Sequence, residues 1–221
     1  MWLIVCEGTR TEPHYLAGLL EYLYIKGGRD LAPQVEIRGL GLGTEPLVNS
    51  AENFFEIIDT EYGRMKLPPE NVAAVFDKDT FVKGSFNRAI NLANQQQKKY
   101  QDMKRYIAAW SNESFELWIY LHFHYTDSAM SRHELNRKLT EIFRAGGILT
   151  GRKSYSSDIK TKETIFQDIL HCGGSVKRAV RSARQLSSSY TDDTKYANQN
   201  PRTEMWKLVS LLAEEAGVSL D

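Results

Sequence analysis

The chain has 221 residues, of which 42% are hydrophobic and 25% are charged, a composition typical of a soluble globular protein. Its 28 lysines and arginines balance 28 acidic residues, so the net charge of zero neither indicates nor excludes nucleic acid as a partner. Its two cysteines form no metal-binding pair, which excludes a zinc-cysteine site. No apolar stretch reaches the ~20 residues of a membrane helix, and no secretory signal peptide is evident. We therefore expect a cytoplasmic protein that does not bind a membrane.

Four short segments predict β-strands. Residues 2–6 and 72–76 are continuous apolar runs, as expected for strands that are buried on both faces of a sheet. Residues 35–38 alternate between apolar and polar side chains, which favours a strand nearer an edge. The fourth predicted strand, at 106–110, is again largely apolar. A strand that begins at residue 2 is unusual and leaves open whether a further segment precedes it.

Helical periodicity follows each predicted strand. This alternation predicts an α/β fold, in which helices flank a mostly parallel, open sheet. After residue 126 the pattern is helical only. We therefore predict a core at 1–126 and a helical C-terminal region at 127–221 that packs on it, either as a subdomain or within one single domain. The predicted helices are 11–26, 47–62, 85–100, 115–123, 131–143, 162–170, 175–186 and 203–216.

Acidic residues follow two of the predicted strands directly. Glu7 comes after the first strand, and Asp77 and Asp79 come after the third. Ligands of open α/β sheets bind beyond the carboxyl ends of the strands, so these acids are expected to meet at one edge. Carboxylate oxygens suit a hard cation such as Mg²⁺, and Mn²⁺ is expected to substitute. The alternative for the Asp-x-Asp pair is a solvated turn in which Lys78 balances the charge.

Two further acids open predicted helices. Glu116 follows the fourth strand and is a candidate fourth metal ligand, but an acid at this position also complements the helix dipole. The sequence does not decide between these interpretations. For Glu12, in the first turn of the helix after the first strand, we favour the helix-terminal role.

Basic residues are concentrated at 151–190, a segment that contains eight lysines and arginines but only three acidic residues. Three of the basic residues share one face of a predicted helix, as a phosphate-backbone contact would require. Arg10 lies beyond the first strand, and Lys153 lies in a loop near the expected edge of the sheet. In the same loop Tyr155 is a further candidate for binding phosphate. The alternative is a solvated face or a docking surface. The predicted nucleic-acid contacts are Arg10, Lys153, Lys177, Arg181 and Arg184.

Four segments together resemble the RloB family, whose fold is similar to the Toprim domain. They are residues 5–15, 75–81 and 110–123, and the Asn-Pro-Arg-Thr sequence at 200–203. Members usually carry a basic stretch before the first strand, which is absent here, and many have proline where this chain has Glu113. Neither difference affects the acids.

The resemblance implies a Toprim-like catalytic edge. By position, Glu7 would be a general acid/base or a metal ligand, and Asp77 and Asp79 would bind Mg²⁺. The implied activity is Mg²⁺-dependent cleavage of DNA or RNA. The implied setting is phage defence, near restriction–modification or abortive-infection genes and beside an ATPase partner.

Two other functions stay open at this point. The chain could be a non-catalytic subunit that binds nucleic acid or an ATPase, with the acids kept for structure or for metal alone. It could also transfer nucleotides, as primase-type Toprim proteins do, although Gly39-x-Gly41-x-Gly43 lacks the spacing of a nucleotide-binding loop. A homodimer is an open alternative for its assembly.

Overall fold

A five-stranded sheet forms the centre of the computed structural model, which describes residues 1–61, 63–79, 83–191 and 195–220. The strands are β1 (Trp2–Cys6), β2 (Val35–Gly39), β3 (Glu56–Thr60), β4 (Gly63–Leu67), β5 (Asn71–Asp77), β6 (Arg105–Asn112) and β7 (Arg202–Thr203). The order in the large sheet is β2-β1-β5-β6-β7, and β3 pairs only with β4. All pairs in the large sheet are parallel except the two-residue contact of β7 with β6. The predicted α/β class and mostly parallel sheet are confirmed.

The helices follow the strands nearly as the sequence predicts. Three of the first four connect strands of the sheet, and the later helices occupy the C-terminal region. In the described residues, no helix has both the length and the apolar character that a bilayer crossing requires. The α-helices are α1 (Thr11–Gly27), α2 (Thr44–Ser50), α3 (Lys83–Lys99), α4 (Phe115–Leu121), α5 (Arg132–Ala145), α6 (Ile165–His171), α7 (Val176–Ser188) and α8 (Met205–Ala216).

Two hydrophobic cores cover the two faces of the sheet, because successive residues of a strand point to opposite faces. Ile4 and Val75 belong to the larger core, which contains residues of α1 and of α4 to α8. Leu3 and Phe76 belong to the smaller core with residues of α2 and α3. The continuous apolar runs of β1 and β5 are explained by this burial on both sides.

The predicted helix at 47–62 is wrong beyond its first turns. Helix α2 ends at Ser50, and a short 3₁₀ turn leads into the antiparallel hairpin of β3 and β4. In the hairpin Ile58 lies opposite Met65. The β-branched residues at 57, 58 and 60 favour extended backbone, although their spacing also matched a helix. Tyr62, the predicted end of that helix, lies outside the described residues.

Candidate functional site

The carboxyl ends of β1, β5 and β6 lie side by side at one edge of the sheet, where acidic side chains gather. Parallel pairing aligns Cys6 of β1 with Val75 of β5, so Glu7 and Asp77 follow near one another. The backbone N–H of Asp77 donates a hydrogen bond of 3.0 Å to Oε2 of Glu7. The structure therefore brings these two predicted site residues into direct contact.

Asp79 lies in the turn after β5, which main-chain hydrogen bonds hold in place. Its φ of 44° is in the left-handed region, which aspartate tolerates better than most residues. Its N–H donates to the carbonyl of Glu113 at 2.9 Å, which ties the turn to the segment after β6. Nη1 of Arg132 donates to Asp79 Oδ2 at 2.8 Å, and Nη2 donates to Asp77 Oδ2 at 3.1 Å. One guanidinium therefore bridges two of the predicted metal ligands.

Glu116 lies in the first turn of α4 and is completely buried, with 0% of its surface exposed. Its Oε1 is 2.5 Å from Nζ of Lys160, and its Oε2 is 3.7 Å from Nε of Arg132. Both cations thus hold this carboxylate inside the site. Its side chain belongs to the acidic group at the sheet edge, while its role as a metal ligand stays a prediction.

Glu12 is a fifth acid of the site, and our interpretation of it as only a helix-terminal residue missed this. It is buried in the first turn of α1, where the charge of Glu116 acts on it and its own charge acts on Glu7. A Cβ atom on Gly8 would lie 2.1 Å from its Oε2, so glycine at this position makes room for the carboxylate. We call the five residues the acidic cluster. Its members are Glu7, Glu12, Asp77, Asp79 and Glu116.

Two basic residues and a tyrosine complete the surroundings of the acidic cluster. Arg132 is the first residue of α5, and Lys160 follows a π-helical turn at Tyr155–Ile159, which replaces part of the predicted loop. Neither Arg132 nor Lys160 was predicted to belong to the site. A capping box at Ser131 was the available signal, since it fixes the start of α5 one residue before Arg132. Tyr155 is fully buried, and the charges of Glu116 and Glu12 act on it. Its contact with a substrate phosphate stays a prediction.

Burial and the charges of neighbouring acids raise the pKa values of Glu7, Glu12 and Asp77 and so favour their neutral forms. Burial raises the pKa of Glu7 from 4.5 to about 7, and the nearby charges of Glu12 and Asp79 add to the rise. Burial, followed by the charges of Glu12 and Glu116, raises the pKa of Asp77. Burial would also raise the pKa of Glu116, but Lys160, Ser114 and Arg132 together outweigh it and the pKa is lowered. Glu116 is therefore the ionised partner of Lys160, whereas Glu7 can exchange a proton near neutral pH.

A model of the RloB-like protein family matches residues 2–212 of the chain. The chain belongs to the RloB-like family. The RloB-like match includes the whole acidic cluster and both of its cations, and it confirms the resemblance inferred from the four motifs. No curated protein and no solved structure matches the chain significantly.

The donor set of this RloB-like chain fits Mg²⁺ in its chemistry, since every candidate ligand is a carboxylate oxygen. Oε2 of Glu12 and the hydroxyl of Tyr155 are also among the buried polar atoms of the described residues that lack hydrogen-bond partners. Buried polar groups are rarely left unpaired, so a hydrated cation would satisfy them. As placed, however, no three acidic, histidine or cysteine side chains of the described residues form a group that could hold a metal ion. Arg132 lies among the aspartates instead.

The predicted nucleic-acid contacts are all exposed. Arg10 directly precedes α1, at the same sheet edge as Glu7, and Lys153 precedes the π-helical turn. The other three residues lie on the outer side of α7, where the guanidinium of Arg184 lies 5.3 Å from the ring of Trp206. Their binding of nucleic acid stays a prediction. These three are Lys177, Arg181 and Arg184.

The raised pKa of Glu7 gives metal-free protein an unusual pH dependence of stability. Between pH 4.5 and about 7 the folded chain binds a proton at Glu7 that the unfolded chain has lost. The free energy of unfolding should therefore fall as pH rises through this window, and the fall should be smaller in Glu7→Gln. Urea denaturation with a chelator at about pH 5 and about pH 8 measures this. Glu163→Gln, a change at an exposed acid, is the control. Equal slopes for wild type and Glu7→Gln would contradict the prediction.

Proposed function

We propose that this RloB-like chain is a Mg²⁺-dependent nuclease that cleaves phosphodiester bonds in DNA or RNA. The observation that carries the proposal is the convergence of acids from three strand ends at one sheet edge. Glu7, Asp77, Asp79 and Glu116 are the proposed ligands of Mg²⁺ or Mn²⁺, and Glu12 lies beside them. Likeness to the Toprim domain is part of the proposal. Ligands of parallel sheets bind at this edge, which supports the placement.

The residues of the chain can supply the other parts of such a reaction. A bound divalent cation lowers the pKa of water and stabilises the negative charge that develops on the phosphate. Glu7 is suited to transfer protons as a general acid/base, because its pKa of about 7 lies near working pH. Lys160 keeps Glu116 ionised and in place.

The exposed basic residues are proposed to bind the phosphate backbone outside the site. Arg10 lies beside the first acid, while Lys177, Arg181 and Arg184 project from α7. Contacts of this kind carry no sequence information, and their strength falls with salt. A role in phage defence and an ATPase partner are proposed from the family resemblance alone. A cytoplasmic location is proposed because the sequence shows no evident signal peptide.

Removal of both aspartates tests the function. The Asp77→Asn, Asp79→Asn double variant should neither cleave plasmid DNA or tRNA with Mg²⁺ or Mn²⁺ nor bind Mn²⁺ in a calorimetric titration. Asparagine keeps the size of each side chain, so circular dichroism should show an intact fold. A matched control changes Asp102 and Asp127 to asparagine, since both are exposed. Unchanged cleavage by the Asp77, Asp79 variant would overturn the assignment.

One observation favours a second candidate, a non-catalytic subunit that binds nucleic acid or an ATPase. Arg132 and Lys160 already neutralise part of the acidic cluster, as in a purely structural network of ion pairs. Such a protein would bind neither Mn²⁺ nor Mg²⁺ at the aspartates. Mn²⁺ binding that is lost in the double variant, together with cleavage, supports the nuclease. Nucleic-acid binding without Mn²⁺ binding and without cleavage supports the non-catalytic subunit.

A further inference from the structure

The guanidinium of Arg132 contacts three of the four proposed metal ligands. It donates hydrogen bonds to Asp79 and Asp77 at 2.8 and 3.1 Å, and its Nε lies 3.7 Å from Glu116. The Arg132 side chain is 32% exposed, whereas Glu116 is fully buried. Arg132 therefore covers the acids from the solvent side.

A divalent cation and this guanidinium require the same oxygens. Mg²⁺ binds carboxylates at about 2.1 Å in a strict geometry, and a guanidinium uses its planar fork on the same groups. Two positive groups this close also repel each other. A cation that binds Asp77 and Asp79 must therefore displace Arg132 from at least one of them.

Only the side chain of Arg132 is free to move. Its backbone begins α5, where Ser131 and Glu134 form a reciprocal capping box that fixes the start of the helix. A displaced guanidinium would remain on the open side of the acidic cluster. A phosphate that reaches a cation on Asp77 and Asp79 must approach from this side. Arginine binds phosphate with the same forked geometry that it uses for carboxylates.

We propose that Arg132 is a phosphate-binding residue that the metal-free protein holds on the ligands of the metal. The inference rests on the proposed function and deepens it. Metal binding frees the guanidinium for a phosphodiester, and phosphate binding keeps it away from the aspartates. Each ligand therefore strengthens the binding of the other, as linkage requires.

Arg132→Gln tests the proposal because one substitution should have two opposite effects. Calorimetric titration of Mn²⁺ without nucleic acid should give an affinity about 10-fold higher than in wild type, since the competitor is gone. Fluorescein-labelled DNA and RNA oligonucleotides are then titrated in saturating Ca²⁺. The affinity of Arg132→Gln for the oligonucleotide that wild type binds should be about 10-fold lower than that of wild type. Arg137→Gln is the matched control. It removes the same charge from the same helix, where Arg137 is exposed and pairs with Glu141, and it should change both affinities little.

The outcomes separate this inference from the proposed function. If wild-type protein does not bind Mn²⁺ through Asp77 and Asp79, the role of Arg132 and the nuclease proposal are both overturned. If wild type binds Mn²⁺ but Arg132→Gln binds it no more tightly, or binds oligonucleotide equally well, the role of Arg132 is overturned and the nuclease proposal stands. Should Arg132→Gln not fold, Arg132→Lys keeps the charge without the fork. The same two opposite shifts, smaller in size, are then expected, and their absence overturns the proposal.

Discussion

Replacement of Glu7 by glutamine should lower the rate of Mg²⁺-dependent cleavage by about 100- to 10,000-fold, the contribution typical of a general acid or base. Glutamine keeps the shape of the side chain, and its carbonyl oxygen can still accept the hydrogen bond that Asp77 N–H donates to Glu7. It cannot bind or release a proton near pH 7, where burial has placed the pKa of Glu7. The measurement is single-turnover cleavage at saturating Mn²⁺.

The pH dependence of the rate distinguishes proton transfer from a loss of metal. Wild type should show an inflection that the residual activity of Glu7→Gln lacks, while metal saturation of the variant is checked by calorimetry. Glu163→Gln serves as the control, because this acid is exposed and outside the acidic cluster. A Glu7→Gln rate within a few-fold of wild type would remove Glu7 from the proposed chemistry.

Replacement of Arg202 by methionine should lower the free energy of unfolding by about 1–3 kcal/mol, the cost of removing one partner of buried hydrogen-bonded groups. The guanidinium lies between the rings of Trp110 and Tyr190, at 5.3 and 5.8 Å from their centroids. Its Nε donates to Glu204 at 2.6 Å, and Nη1 donates to Gln199. Methionine would leave Glu204, only 2% exposed, without this partner. Chemical denaturation gives the value.

Two comparisons identify the cause of this loss. Arg38→Met removes an exposed partner of Glu36 and should cost about 1 kcal/mol or less. In Arg202→Met the buried Glu204 keeps only Lys207, at 2.8 Å, as a cationic partner. Combining Arg202→Met with Glu204→Gln should recover part of the lost stability, because the weakly compensated charge is then removed. A loss below about 1 kcal/mol in Arg202→Met would show that the stacked guanidinium contributes little.

Local sequence patterns were sufficient for the four parallel strands of the sheet and for the first acids of the site, but not for β7, whose Thr203 was assigned to a helix. The runs at 2–6 and 72–76 are apolar on both faces, and only a strand inside a covered parallel sheet needs this. Once the strands were known, their shared direction placed Glu7 and Asp77 at one edge. The hairpin of β3 and β4 was missed because its isoleucines also match helical spacing. Periodicity alone could not distinguish a helix from a strand in this segment.

The remainder of the site depends on contacts between distant segments. Glu12 was correctly placed at the start of a helix, but its burial under Gly8 arises only when α1 packs on the sheet. Arg132 and Lys160 reach the acids from the C-terminal half of the chain, 53 and 44 residues beyond Asp79 and Glu116 respectively. The capping box at Ser131 marks the start of α5 at Arg132, but no local pattern shows that the side chain of Arg132 or Lys160 faces inward rather than to solvent.

The charges of the site are unequally distributed along the polypeptide. A ribosome releases all five members of the acidic cluster before Arg132 emerges, and Lys160 follows later still. Until then the nascent chain has none of the cations that neutralise these acids in the finished protein, and their repulsion opposes burial. The edge should therefore stay hydrated and open during translation. It should close only after Lys160 has left the exit tunnel.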